Sequence, residues 1–188
     1  MQKEEKPKKK NKNTEKGAYR WIIQVFCLSV SLSAVLSLLS QTALEGAGYA
    51  VALGVLALFI GLGIVFDIIG VAVTAADARP FHSMAAHREK GARESLFLLR
   101  NASRVSSICN DVVGDICGIV SGTTAAVLVS ALQRSFSLQG MLLSVGVTAL
   151  ISGLTIGGKA LGKSFAMSNS TQVVFTAGRI MHVFHRAR

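Results

Sequence analysis

Four ionisable residues stand inside otherwise uncharged stretches of the chain: Asp67, Asp111, Asp115 and Lys159. Such groups are costly to place in lipid, so each marks a candidate functional position. Asp111 and Asp115 are four residues apart, which puts both carboxylates on one face of a helix. Ser107 extends that face by a turn, with Ser106 and Asn110 beside it. Carboxylate, hydroxyl and amide oxygens are the donors that a hard cation such as Mg²⁺ takes. Three carboxylates against one ammonium sum to −2 when all are ionised, which suits a divalent cation, although protonation would remove the excess charge. The expected ion pathway or binding set is therefore Asp67, Ser106, Ser107, Asn110, Asp111, Asp115 and Lys159, with Asp67, Asp111 and Asp115 as the metal ligands. The competing reading is structural: Lys159 neutralises one aspartate and ties helices together, while the other carboxyls are protonated or hydrated.

The elements that would position these groups are membrane-spanning helices. Hydrophobic residues make up 51% of the 188 residues and charged residues 16%, well under the roughly 25% charged of soluble domains. That composition argues against a soluble enzyme of ordinary type and against a disordered chain. A bilayer-spanning helix needs about 20 mostly apolar residues. Four stretches qualify, roughly 21–41, 47–76, 105–132 and 139–162, and the expected fold class is an all-α integral membrane protein. The first stretch follows a basic arm, as a signal peptide would, but it is too long for a typical signal-peptide core and no clear small-x-small cleavage site follows it. It is read as a retained helix.

The net charge of +10 lies between the apolar blocks. Residues 1–20 carry eight Lys/Arg and three Glu, the 77–104 segment six against three acids, and the last 29 residues four and no acid. This is the distribution of a membrane protein and not of a nucleic-acid binder. All three basic segments share one side of the membrane only with an even number of spans. Four spans then place both termini in the cytoplasm and the chain in the plasma membrane. The expected organisation is a basic disordered arm (1–20), an extra N-terminal transmembrane helix (21–41) and a transmembrane domain (47–188). That domain carries a cytoplasmic helical hairpin at 77–104 and an amphipathic tail helix at 171–188.

Asp67 lies ten residues before Asp77, about 15 Å along a helix. Asp111 and Asp115 lie seven and eleven residues past Arg104, roughly 10–16 Å in. Together with Lys159 they are expected to meet in one layer. Gly114, Gly118 and Gly122 form a small-xxx-small track for helix packing on the third span, and Ser29, Ser33, Ser37 and Ser40 a similar stripe on the first. On the fourth span Ser144, Thr148, Ser152 and Thr155 form another. Cys27, Cys109 and Cys117 lie in apolar stretches and are expected to be buried thiols. Enzyme chemistry finds little support. His82 and His87 are five apart and miss the helical metal-pair spacing, and His182 and His185 are three apart beside basic residues. No nucleophile motif or phosphate-binding glycine loop is present.

From residue 66 to about 185 the chain resembles the transmembrane domain of the cyclin M/CorC family of magnesium transporters, the domain-of-unknown-function-21 type. FDIIGVAVTAAD (66–77) is similar to that family's first core helix, which runs into a cytoplasmic hairpin. ARESLFLLRNASRVSSICNDVVGDICGIV (92–120) is similar to its Asn-Pro-x-x-hydroxyl and Gly-Asn-x-x-x-Asn segment. Asn101 falls on the first Asn, Ser106 and Ser107 on the hydroxyl position, and Asp111 and Asp115 on the later Asn pair. GGKALGKSFA (157–166) is similar to its Gly-Glu-x-x-Pro-Lys signature, with Lys159 in place of the Glu ligand and Gly162 in place of the Pro. The resemblance implies transport of Mg²⁺ or another divalent cation, a homodimer in the lipid bilayer, and a short form without the family's nucleotide-binding CBS pair. A non-transporting membrane scaffold or regulatory subunit that keeps the fold is the alternative.

Overall fold

A computed structural model describes residues 12–44, 48–136 and 141–186. Residues 1–11, the connections at 45–47 and 137–140, and residues 187–188 lie outside them; the rest of the arm expected to be disordered, 12–20, is instead the start of a helix. Four helices are long and apolar enough to cross a membrane: Tyr19–Leu44, Tyr49–Ala75, Ala102–Gln133 and Ser144–Ser168. The expected spans fall on these helices, and the fourth continues six residues beyond its expected end at 162.

In chain order, α1 is Lys12–Leu44, α2 Tyr49–Ala75, α3 Arg79–Ala86, α4 Ala92–Arg100 and α5 Ala102–Ser106. A π-helical segment, Ser107–Gly114, follows directly and passes into α6, Asp115–Phe136. Then come α7, Met141–Ser168, and α8, Ser170–Arg186. The third span is therefore α5, the π segment and α6 in one continuous rod. Pro80 sits in the first turn of α3, where its missing N–H costs nothing. Gly91 starts α4 from a left-handed backbone (φ 93°) that other residues adopt rarely.

α2 is the central column. It packs against the π segment, α6, α7 and α8, and it carries buried residues along its length, from Ala52 to Val73. Phe59 of α2 meets Val112, Ile116, Cys117 and Val120, with Val25, Leu32 and Leu36 of α1 closing that cluster. Further along, Ala52 and Leu56 pack on Ala125 and Leu128. At the opposite end Ala72, Val73, Phe81, Ala166 and Val174 join α2, α3, α7 and α8 into a cap. The tail helix does more than lie along an interface. It docks on α4 through Gly178, where an added Cβ would fall 2.1 Å from Ser95 Oγ and 2.6 Å from the Gly91 carbonyl. Ser95 Oγ donates to the carbonyls of both Gly91 (2.9 Å) and Val174 (3.2 Å).

The first span leans on the rest with the expected serine face. Ser29, Ser33 and Ser37 are half-buried and Ser40 is buried, its hydroxyl 3.2 Å from that of Thr124. At the other end of α1, Trp21 lies under the Arg104 guanidinium, 5.0 Å from ring centroid to cation. The stripe on the fourth span is split: Ser144 and Thr155 are half-buried, whereas Thr148 and Ser152 are exposed. Of the cysteines, Cys109 and Cys117 are buried, but Cys27 is exposed on the outer face of α1. An apolar environment in a membrane protein includes lipid, so an apolar stretch does not by itself mean a packed core.

Candidate functional site

The site forms where three helices approach without intervening side chains. Gly63 and Gly70 stand one turn before and one turn after Asp67 on the same side of α2, facing the third span. A Cβ on Gly63 would sit 3.3 Å from Cys117 Cβ, and one on Gly70 only 2.1 Å from Asn110 Oδ1. From the third span, Gly114 completes the approach, since a Cβ there would lie 2.9 Å from Asp67 Oδ1. From the other side, Gly158 and Gly162 of α7 press against Ile64 and Ile68, with an added Cβ 2.6 Å and 3.0 Å from those side chains. Five glycines thus bring backbones close enough for polar atoms of different helices to meet.

Asp67 is buried in that gap, and its carboxylate is met by Lys159, with Nζ 3.4 Å from Oδ2. The same ammonium donates to the Gly114 carbonyl at 3.5 Å. The Asp67 side chain is 5% exposed and that of Lys159 24%. The aliphatic stem of Lys159 runs past Gly63, leaving the charged head between α2 and the π segment. One turn along from the Asp67–Gly114 approach, Asn110 donates from Nδ2 to Ser106 Oγ at 3.3 Å. Its Oδ1 is buried against Gly70 and has no hydrogen-bond partner among the described residues. A buried amide oxygen without a donor costs about 1–3 kcal/mol and calls for an explanation.

The third span is π-helical across the residues that line this gap, Ser107 to Gly114. π-helical turns inside membrane or soluble helices concentrate at functional sites, because the i→i+5 pairing widens the turn and re-aims side chains and carbonyls. Here it lets Gly114 present its carbonyl to an ammonium borne by another helix.

The structure brings together Asp67, Lys159 and the Gly114 carbonyl, with Asn110 and Ser106 paired one turn away. Ser107 is half-buried at the start of the π segment. Asp111 and Asp115 are not part of the group. They share a face, as their spacing requires, but it is exposed and turned away from the buried positions Val112, Gly114 and Ile116. The expected layer of three carboxylates is therefore not assembled within the chain, and no group of three or more His, Cys, Asp or Glu is gathered among the described residues. The glycine track is corrected in the same way. Gly114 makes a helix contact, whereas Gly118 and Gly122 have open space where a Cβ would go. No protein-family model, curated protein or solved structure matches the chain.

Chemically, the gap offers a carboxylate, a backbone carbonyl and an unpaired amide oxygen, which are cation-binding donors. One cation already stands there. The Asp67–Lys159 pair is neutral overall, so an incoming divalent ion competes with the ammonium for the same oxygens and is repelled while the ammonium stays. The residues missed by sequence reasoning are Gly63, Gly70, Gly158 and Gly162. The last two repeat the four-residue spacing of Gly118 and Gly122, so the signal was present without a way to rank it.

Proposed function

We propose that the chain is a membrane protein of the divalent-cation transport type, with Mg²⁺ as its cargo, in which the Lys159 ammonium holds the cation position beside Asp67 and yields it during transport. The observation that carries this reading is the ammonium lying between the Asp67 carboxylate and the Gly114 carbonyl. The unpaired Asn110 Oδ1 and the π-helical backbone supply further oxygen donors nearby. The resemblance to the cyclin M/CorC transmembrane domain points the same way, since Lys159 falls where that family carries a carboxylate. In this reading the protein sits in the plasma membrane with both termini in the cytoplasm. It works as a homodimer through the exposed face of the third span, where Asp111 and Asp115 lie in line with Gly118 and Gly122. A carboxylate facing lipid costs about 2.5–3.5 kcal/mol at mid-membrane, which a polar contact with a second copy would offset.

A second reading, a non-transporting scaffold or regulatory subunit, is favoured by the neutrality of the Asp67–Lys159 pair. Titration calorimetry of Mg²⁺ into the detergent-purified protein separates the two. Under transport, Lys159→Ala binds Mg²⁺ saturably and at least tenfold more tightly than the parent chain, and adding Asp67→Asn abolishes it. Mg²⁺ uptake into proteoliposomes then falls in Asp67→Asn. No binding in Lys159→Ala, with the protein folded, leaves the scaffold.

A further inference from the structure

A second concentration of charge lies at the capped end of the bundle, away from Asp67. The turn between α3 and α4 carries Arg88 and Lys90, and the first turn of α4 carries Arg93, all exposed. The shape of the α3–α4 turn is set by two left-handed residues, Arg88 (φ 57°) and Gly91 (φ 93°). The first is uncommon for a residue with a side chain. Arg179 and His182 of α8 stand directly against this turn, the Arg179 backbone packing on Gly91. Together they border two adjoining hollows of about 350 and 480 Å³, which share Glu89, Lys90 and His182. Four Arg/Lys against Glu89 and Glu94 leave +2 with His182 neutral, and Glu94 is already engaged by His182 at 2.6 Å. At about 30 Å³ per water, the smaller hollow holds roughly a dozen water volumes, enough for a phosphate and its first substituents.

The second, independent observation is apolar. Beyond Arg179 and His182, α8 turns Ile180, Val183 and Phe184 outward, 54%, 67% and 74% exposed. Its inward residues, Val174 and Gly178, are fully used against α2 and α4. α8 therefore has one apolar face for the bundle and a second that stays exposed among the described residues. Phe97 of α4, also exposed, borders a third hollow of about 370 Å³ with Arg93 and Met181. A cationic hollow beside an apolar strip, at the end of a membrane-spanning bundle, matches the two halves of a phospholipid. A soluble polyanion would satisfy the charges and leave the strip in water.

We propose that this hollow binds the phosphate group of an anionic phospholipid, with Arg88, Lys90 and Arg93 around the headgroup and the acyl chains along Ile180, Val183 and Phe184. The proposal does not depend on whether Asp67 binds a cation. It is tested on the full-length protein in neutral detergent, by thermal unfolding against dioctanoyl phosphatidylglycerol, dioctanoyl phosphatidylcholine and inorganic phosphate. The expected result is a saturable upward shift of Tm with phosphatidylglycerol and none with the other two. The apparent affinity falls at least tenfold in Arg88→Gln/Lys90→Gln/Arg93→Gln and stays unchanged in Lys8→Gln/Lys9→Gln/Lys10→Gln, which removes as much charge elsewhere. Where the triple variant does not fold, Arg93→Gln alone carries the test, with an affinity loss of at least twofold. The proposal is overturned by an equal shift with phosphatidylcholine, by an undiminished shift in the hollow variants, or by equal weakening in the arm variant. An equal shift with phosphate alone assigns a free anion instead and also overturns it.

Discussion

Among the described residues, two side-chain pairs join helices that are far apart in sequence, one an ion pair and the other a histidine–carboxylate hydrogen bond, and they do so under different conditions. Lys159–Asp67 links α7 to α2 in the membrane-spanning region, at 3.4 Å. His182–Glu94 links α8 to α4 at the capped end, at 2.6 Å. The shorter pair has the more redundant surroundings. Around it, Ser95 donates to two carbonyls, Gly178 lets two helix backbones touch, and Phe81 and Val174 are fully buried. The longer pair has companions of another kind: Lys159 Nζ also donates to the Gly114 carbonyl, and Gly158 and Gly162 of α7 press on Ile64 and Ile68 of α2. Along α7, only Gly162 and Ala166 are buried among the residues whose side chains are described. The contrast is between a polar pair set among hydrogen bonds at a protein-covered cap and an ion pair on a helix otherwise turned largely outward.

Removing one partner of the central pair is the hardest test of that contrast. Asp67→Ala strands the Lys159 ammonium and is expected to cost about 3–5 kcal/mol in reversible unfolding in detergent. Replacing both charges, in Asp67→Leu/Lys159→Met, is expected to recover most of that loss, because two apolar residues of similar size leave no charge unpaired. A double variant as unstable as Asp67→Ala would mean that the gap needs polarity at this point and would break the comparison.

At the cap, backbone approach outweighs the histidine–carboxylate pair. Gly178→Ala forces Ser95 and the Gly91 carbonyl apart and is expected to cost about 1–3 kcal/mol, whereas His182→Ala loses one half-exposed contact and costs about 1 kcal/mol. Reversal of that order, measured by the same unfolding, would make the His182–Glu94 pair the principal clamp. The smallest effect is expected at Gly122. Nothing lies where its Cβ would go, so Gly122→Ala leaves monomer stability unchanged or raises it by up to about 1 kcal/mol. Its effect appears, if the third span is the homodimer face, as a weaker self-association by analytical ultracentrifugation.

The spanning helices were legible because length and apolar composition suffice for them. The pairing of Asp67 with Lys159 was legible as the structural alternative, since an isolated intramembrane charge needs a partner. What the sequence hid was direction. α2 is apolar nearly all round, and the polar residues of the third span fall on both its buried and its exposed sides, so neither helix tells from sequence which face meets protein and which meets lipid. Asp111 and Asp115 accordingly looked like the inward face, and Gly118 and Gly122 looked equivalent to Gly158 and Gly162. The π-helical segment adds to this, because an i→i+5 stretch changes the angular phase between the residues on either side of it.

The α7–α8 junction has a mechanical consequence. Only Asn169 separates the two helices, and α8 is held in register on α4 by the contact at Gly178. With α8 fixed there, a movement of α7 against α2 would have to turn about Asn169, like a door on its hinge, and part Gly158 and Gly162 from Ile64 and Ile68. Lys159 lies ten residues from that pivot, a lever arm of about 15 Å. A swing of roughly 10° moves its backbone by about 2.6 Å on that arm, which is enough to open the contact with Asp67 while the cap stays at rest.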